Sequence, residues 1–220
     1  MILLSPGVVV GLATEQRIAR RFGWPVGIGG GTAAGAASAA EALIGQDCVG
    51  LISFGLAGGL DPALSPGAVI VPSAVVTCGK RYTADANLSH MLGGATEHVV
   101  LGADGIVASV EEKRRLYNET GAAAVDIESG AVARTAAEHD IPFAVLRAVC
   151  DPADRSLPPA ALTAIDARGG INVWRLLGSV GTHPTQLPAL LALAAAAVAA
   201  KRALAERINL VVTGRYWPSL

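Results

Sequence analysis

The chain of 220 residues is short of charge, of aromatic side chains and of cysteine. Only 16% of it is Asp, Glu, Lys or Arg, and the formal net charge is −1. Without a basic excess there is no electrostatic case for a nucleic-acid partner. The small basic clusters at Arg17-Arg20-Arg21, Lys80-Arg81 and Lys113-Arg114-Arg115 read as solvated helix or loop faces. Cys48, Cys78 and Cys150 are far apart and odd in number, with no C-x-x-C pair. That spacing excludes a zinc knuckle and fits reduced thiols in a cytoplasmic protein. His90, His98, His139 and His183 fall in no H-x-H or H-E-x-x-H pattern, so no metal is expected. The first six residues have no charged region followed by an apolar stretch and a cleavage site, so they do not read as a signal peptide. The longest apolar run, Leu187 to Ala200, is 14 residues. A bilayer span needs roughly 20. A buried or subunit-facing helix is the expectation there, with peripheral membrane contact as the lesser alternative.

What the chain does have is Ala, Val and Gly in quantity, with 52% of its residues hydrophobic. Its length suits one domain with a sizeable core. Short apolar runs alternate with helical stretches from end to end, which predicts a single three-layer α/β domain. We place that domain at residues 1–208, with a loose tail at 209–220. Strands are expected at 7–12, 26–28, 49–54, 68–71, 99–101, 122–125 and 143–150. Thr14 is placed as the cap of a first helix over 15–22. Gly29-Gly30-Gly31-Thr32 opens an Ala-rich helix to about Ile44, and Ser109-Val110-Glu111-Glu112 is a capping box for a helix to about Thr120. Helices are also expected at 172–180 and 184–207. Residues 77–98 show few signals and read as a long loop. The segment Gly55-Leu56-Ala57-Gly58-Gly59 reads as a turn whose bare backbone N–H groups can approach a ligand.

The stretch from Val125 to Asp154 is the most informative. Asp126-Ile127-Glu128 leads into an amphipathic run that Asp140-Ile141-Pro142 stops. The apolar segment Phe143 to Cys150 then ends on Asp151-Pro152-Ala153-Asp154. Its composition is that of a strand buried on both faces. Ligands of open α/β sheets sit beyond the carboxyl ends of such strands, which is where Asp151 stands. Taken alone, D-P-A-D is also a common turn whose carboxylates cap the next element. Glu128 alone fits helix-dipole complementarity. The Gly29 to Gly31 cluster fits G-x-G-x-x-G incompletely, so close strand-to-helix packing is preferred over a dinucleotide site.

In order, the segments VGIG at 26–29, FGLAGGLD at 54–61, GAVIVP at 67–72, GADGIV at 102–107, AVDIES at 124–129 and PFAVLRAVCDPAD at 142–154 resemble the purine nucleoside phosphorylase and nucleosidase superfamily. Methylthioadenosine/S-adenosylhomocysteine nucleosidases are the clearest comparison. DPADRSLPP at 151–159 and PTQLPAL at 184–190 resemble its hopanoid-associated branch. The resemblance implies a three-layer αβα fold with a mixed, twisted central sheet, and cleavage of a nucleoside's C–N glycosidic bond. It implies that Asp151 protonates or hydrogen-bonds adenine N7 and that Glu128 binds the ribose hydroxyls. Ile127 would lie against the sugar, and Ile106 and Val107 against the base, with Ile106 standing where relatives carry an aromatic ring. Leu56 and Gly58 belong to the Gly-rich segment, with Leu56 where relatives use a hydroxyl residue. Glu15 matches an acidic residue that positions the attacking water, or is a surface helix residue; both readings stand at this point. Asp126 reads as structural, and Asp154 as a support for the Asp151 loop.

No cofactor is implied, although phosphate is a possible co-substrate. The early G-D-P-x-R of phosphorylases is missing, and a dianion is best held by arginine, so the pattern leans toward a hydrolase or a weak phosphorylase, and adenine release by hydrolysis or by phosphorolysis both stand. The branch implies adenosylhopane, an adenine nucleoside joined to a lipid, as substrate. A methylthioadenosine-type nucleosidase or a general purine nucleoside phosphorylase is the alternative. A homo-oligomer is expected. Outside this class stand a dehydrogenase and a non-catalytic nucleoside- or lipid-binding module.

Overall fold

A computed structural model describes residues 5–159, 161 and 184–214. Nine strands form one mixed sheet among the described residues. The elements are β1 (Gly7–Val10), α1 (Ala13–Ala19), β2 (Val26–Ile28), α2 (Ala33–Ile44), β3 (Leu51–Gly59), β4 (Val69–Ile70), β5 (Pro72–Thr77), β6 (Lys80–Thr83) and α3 (Ala86–Met91). They continue as β7 (Thr96–Gly102), α4 (Val110–Thr120), β8 (Ala124–Asp126), α5 (Ser129–Glu138), β9 (Phe143–Asp151) and α6 (Leu187–Val212). The sheet runs β2-β1-β3-β8-β7-β5-β6, and β9 pairs with β3 and β4.

β3 is the axis. Its first half lies parallel to β1, its whole length to Gly58 lies parallel to β9, and Gly58-Gly59 turn antiparallel to β8. Alternation along these strands sorts the core into two layers. Val8, Val10, Ile52, Phe54, Leu146 and Ala148 face one side, with Leu88, Leu92, Ala200, Leu204 and Ile208 of α3, α6 and the turn after α3 packed on them. Val9, Leu51, Phe143 and Val145 face the other, under Ala36, Ala40 and Leu43 of α2 and Val132 and Ala136 of α5. Small alanines on α2 and α5 let both helices lie close to the sheet and to each other. The expected three-layer α/β fold with a mixed central sheet is the one observed.

The structure departs from the sequence reading in several places. Leu12, not Thr14, precedes the first turn of α1, and the Glu15 side chain accepts the N–H groups of Gly11 and Leu12. The Gly55 to Gly59 segment is strand, not turn. Residues 77–98 hold the end of β5, the β6 hairpin strand, α3 and the start of β7. α6 continues to Val212 with Ile208 and Val211 buried, so 209–212 are no loose tail. Its buried residues, Ala196, Ala200, Leu204, Ile208 and Val211, make one stripe, while Leu187, Leu191 and Val198 are exposed. The expectation of a buried helix therefore holds for one face only. The helix expected at 172–180 and residues 215–220 lie outside the described residues.

Candidate active site

The carboxyl ends of β3 and β9 open into a cavity of about 440 Å³. Glu15, Leu56, Gly58, Ile106, Val107, Ile127, Glu128 and Asp151 all line it. The structure thus gathers around one cavity residues that the chain spreads over 137 positions, from Glu15 to Asp151. Leu190, Leu193, Ala194 and Ala197 of α6, with Leu157, form an apolar wall, and Lys201 closes its edge. The sequence reading assigned none of these α6 residues.

At one end of the cavity three carboxylates surround one guanidinium. Arg147 rises from the middle of β9 and is 1% exposed. Its Nε pairs with Asp126 Oδ2 at 2.6 Å, and its Nη2 reaches Glu128 Oε2 at 3.3 Å and Ser53 Oγ at 2.7 Å. Its Nη1 donates to Leu56 O at 3.3 Å. Burial works against the guanidinium's charge, and Asp126, Glu128 and Glu15 outweigh it. Asp126 also accepts the Ser129 N–H at 2.8 Å and the Ser129 hydroxyl, which ties the start of α5 to the same network. Asp126 thus joins Arg147 to the start of α5, and it also lines the cavity. Arg147 escaped the sequence reading, yet a lone arginine inside a nine-residue buried strand is itself a signal, because such a charge demands carboxylate partners.

Glu15 is buried, not a surface residue. Oε2 accepts from Gly11 N at 3.1 Å and Leu12 N at 2.8 Å, and Oε1 accepts from Leu56 N at 2.9 Å. Pairing with β9 carries β3 through the glycine segment. A Cβ on Gly55 would come within 2.6 Å of both Arg147 Nη1 and Glu15 Oε1, so only glycine lets the strand pass. A Cβ on Gly11 would meet Glu128 Oε1 at 2.3 Å, which brings the Glu128 carboxylate against the same loop. Burial pushes the Glu15 carboxyl up, against the lowering effect of Arg147 and the three N–H donors. Glu128 is pushed up to about 7, by burial first, with Arg147 opposing and Asp126 and Glu15 adding to the rise.

At the other end stands Asp151. β9 carries one extra residue against β3, so that Ala57 faces Val149 and Gly58 faces Asp151. Such bulges re-aim side chains at strand ends. Asp151 Oδ1 is buried with no hydrogen-bond partner among the described residues, and Oδ2 receives Lys113 Nζ at 2.5 Å. Burial raises the Asp151 carboxyl above its ordinary range, and Lys113 pulls it back. Lys113 is fully buried, which corrects its reading as part of a solvated cluster. It also corrects the part given to Asp154, which is exposed; the ammonium of Lys113 is what holds the Asp151 loop. Cys150 lines the cavity too, but burial and the charges of Asp151 and Glu15 push its thiol up to about 12. A thiol so shifted is no nucleophile near neutral pH. Among the described residues no group of His, Cys, Asp and Glu is arranged to hold a metal ion.

The phosphorylase superfamily model matches residues 26–177, more than half of the chain. The chain belongs to the phosphorylase superfamily. This places it among nucleosidases and nucleoside phosphorylases, enzymes that cleave N-glycosidic bonds. The fold agrees with solved structures. Futalosine hydrolase of Helicobacter pylori superposes with a TM-score of 0.71 at 16% identity, over 97% of this chain and 99% of that one. S-adenosylhomocysteine nucleosidase of Streptococcus pyogenes, in complex with 5-methylthiotubericidin, gives 0.71 at 14% identity, over 100% and 99%. The 5′-methylthioadenosine/S-adenosylhomocysteine nucleosidase of Neisseria meningitidis, in complex with methylthio-immucillin-A, gives 0.63 at 20% identity, over 93% and 99%. Comparison with curated protein sequences finds no match. The dehydrogenase reading falls with the family. The turn at Gly29 is packed on α2, where a Cβ would lie 2.8 Å from Ala36 Cα.

Proposed function

We propose that the protein is a hydrolase that releases adenine from a nucleoside with an apolar 5′-substituent. The observation that carries the hydrolytic reading is the seat of Glu15. Three backbone N–H groups, from Gly11, Leu12 and Leu56, converge on its carboxylate. Convergent N–H groups are what an enzyme offers a phosphate, and here a side-chain carboxylate already fills them. Arg147, beside them, is committed to Asp126 and Glu128. A phosphate dianion would have to enter next to two or three carboxylates, whereas water can enter as a hydrogen-bond donor to Glu15.

The steps follow from the two ends of the cavity. Asp151 donates its proton from Oδ1 to N7 of the base, and the electron pair of the C1′–N9 bond leaves with the adenine. Positive charge grows on the ribose and is met by Glu128, whose carboxylate also accepts the ribose hydroxyls. Glu15 takes a proton from water as its oxygen bonds to C1′. Ile127 packs on the sugar, Ile106 and Val107 on the base, and Leu56 and Gly58 complete the floor. No cofactor takes part. The wall of Leu190, Leu193, Ala194 and Ala197 supports an apolar group at C5′. Adenosylhopane is the substrate we favour, and methylthioadenosine, the smaller apolar case, is the second reading. We further propose a cytoplasmic homo-oligomer.

Adenine release from adenosine, methylthioadenosine and adenosylhopane, each with and without phosphate, tests the proposal. We expect free ribose-type products, rates independent of phosphate, and kcat/KM highest with adenosylhopane. Strict phosphate dependence with formation of a ribose 1-phosphate overturns the hydrolytic reading. A preference for unsubstituted adenosine overturns the apolar 5′-group.

A further inference from the structure

Lys113 is a fully buried charged residue to which the proposed reaction has so far given no part. It stands in the first turn of α4, which Ser109 caps by accepting the Glu112 N–H. Its side chain is 0% exposed, and burying an ammonium is costly unless every proton finds an acceptor. All three do. Nζ donates to Asp151 Oδ2 at 2.5 Å, to Arg155 O at 2.7 Å and to Pro152 O at 2.9 Å. Two further bonds join the same loop to the start of α4, from Val110 N to Ser156 Oγ at 3.2 Å and from Leu157 N to Ala108 O at 2.8 Å. The loop after β9 is therefore fastened to the start of α4 by Lys113 together with these two bonds. A loop needing only an anchor would be served by the two carbonyl contacts, but the shortest contact goes to one carboxylate oxygen and leaves the other unpartnered.

We infer that Lys113 is a positioning residue that clamps Asp151 Oδ2, presents Oδ1 to the leaving base, and balances the carboxylate charge formed when that proton is given up. The inference rests on Asp151 being the acid of the proposed reaction. In the step itself the Oδ1–H bond breaks, the proton bonds to N7, and the electron pair stays on the carboxylate. The ammonium 2.5 Å away receives that new negative charge without moving. An acid whose conjugate base is paired in this way is a stronger donor in the transition state. The other charged or titratable groups around Asp151 are Arg155 and Asp154 in its loop and Cys150 beside it on β9. Among these groups and Lys113, the closest approach to Asp151 is that of the Lys113 ammonium.

The test compares Lys113→Met and Lys113→Gln with the parent enzyme on two substrates, adenosine and a riboside with a p-nitrophenolate leaving group. The phenolate leaves without protonation, so it reports everything at the site except the acid. We expect kcat on adenosine to fall by about 10- to 100-fold while kcat on the p-nitrophenyl riboside falls by no more than about threefold. We also expect the basic limb of kcat/KM on adenosine to move to higher pH, because Lys113 lowers the pKa of Asp151 and its removal raises it. Equal losses on both substrates with an unmoved basic limb overturn the inference and reduce Lys113 to a loop anchor. Retention of full adenosine activity overturns it as well. Lys113→Gln, which keeps a donor without the charge, supplies the reading if Lys113→Met does not fold. Asp151→Asn separates the two levels. If it leaves adenosine cleavage intact, the role of Asp151 fails; if it abolishes cleavage and the lysine variants do not behave as stated, only the inference fails.

Discussion

In the proposed reaction Glu128 carries two demands that pull its protonation in opposite directions. Burial pushes its carboxyl up to about 7, whereas stabilising a cationic ribose requires the ionised form. The activity of the enzyme should therefore rise as pH climbs through about 7, and Glu128→Gln should remove that acidic limb while lowering kcat by about 100-fold or more. The same group leaves a mark on stability. Its folded pKa lies above the ordinary 4.5, so the folded state binds a proton that the unfolded state has lost. The associated stability is complete below about pH 4.5 and disappears as pH rises through about 7. The Tm of the ligand-free protein should fall between pH 5 and pH 8, and Glu128→Gln should flatten that fall. Melting curves of both proteins across this range decide it; a parallel decline would assign the effect elsewhere.

At the scale of elements, β9 does most to build the site. It supplies Arg147 at its middle and, past the extra residue that shifts its register, Asp151 at its end. Replacing Arg147 by Met leaves Asp126, Glu128 and Glu15 buried with no cation between them. Breaking a buried pair of this kind costs about 3–5 kcal/mol. The loss should be smaller at pH 5, where Glu15 and Glu128, both pushed up by burial, can take up protons, than at pH 8; chemical denaturation at the two pH values measures this. β9 and α4 were legible in the sequence. The first is a run of alternating core residues bounded by Pro142 and Pro152, and the second has its Ser109 cap and Gly121 at its end. The hairpin of β5 and β6 was not, because its turn places Cys78 and Gly79 at φ +49° and +71°. Such turns usually announce themselves with Asn-Gly or Asp-Gly, and β6 (KRYT) is mostly exposed with no apolar alternation to mark it. Glycines 55, 58 and 59 misled for a different reason. At Gly55, Glu15 and Arg147 come too close for a Cβ, and at Gly58 and Gly59 the side chains of Val125 and Val149 leave a Cβ little room, a requirement set by residues distant in the chain. Lys113 is likewise indistinguishable from Arg114 and Arg115 until the loop 38 residues later is folded over it.

Over the whole molecule, the cavity is a joint product of sheet and last helix. The sheet ends bring the carboxylates, and α6 brings an apolar wall that Leu190, Leu193, Ala194 and Ala197 share. The size of the 5′-group should thus be set by α6. Ala197→Phe, which adds a ring to that wall, should raise KM for nucleosides with long apolar 5′-groups by about tenfold or more. The rise for methylthioadenosine should be clearly smaller. Steady-state kinetics on the two substrates reads this directly, and equal increases would detach the wall from the 5′-group.

The cluster of Glu15, Asp126 and Glu128 around a single arginine has a consequence for inhibition. With all three acids ionised, that end of the cavity has a local imbalance of −2, shielded from bulk water. A neutral sugar gains little from such a field. A ribose mimic with a protonated ring nitrogen at the position of C1′ or O4′ would enter it as the missing counter-ion. Its affinity should strengthen as pH rises past 7 until the ring nitrogen itself loses its proton, which makes an alkaline assay the right setting in which to search for tight binders.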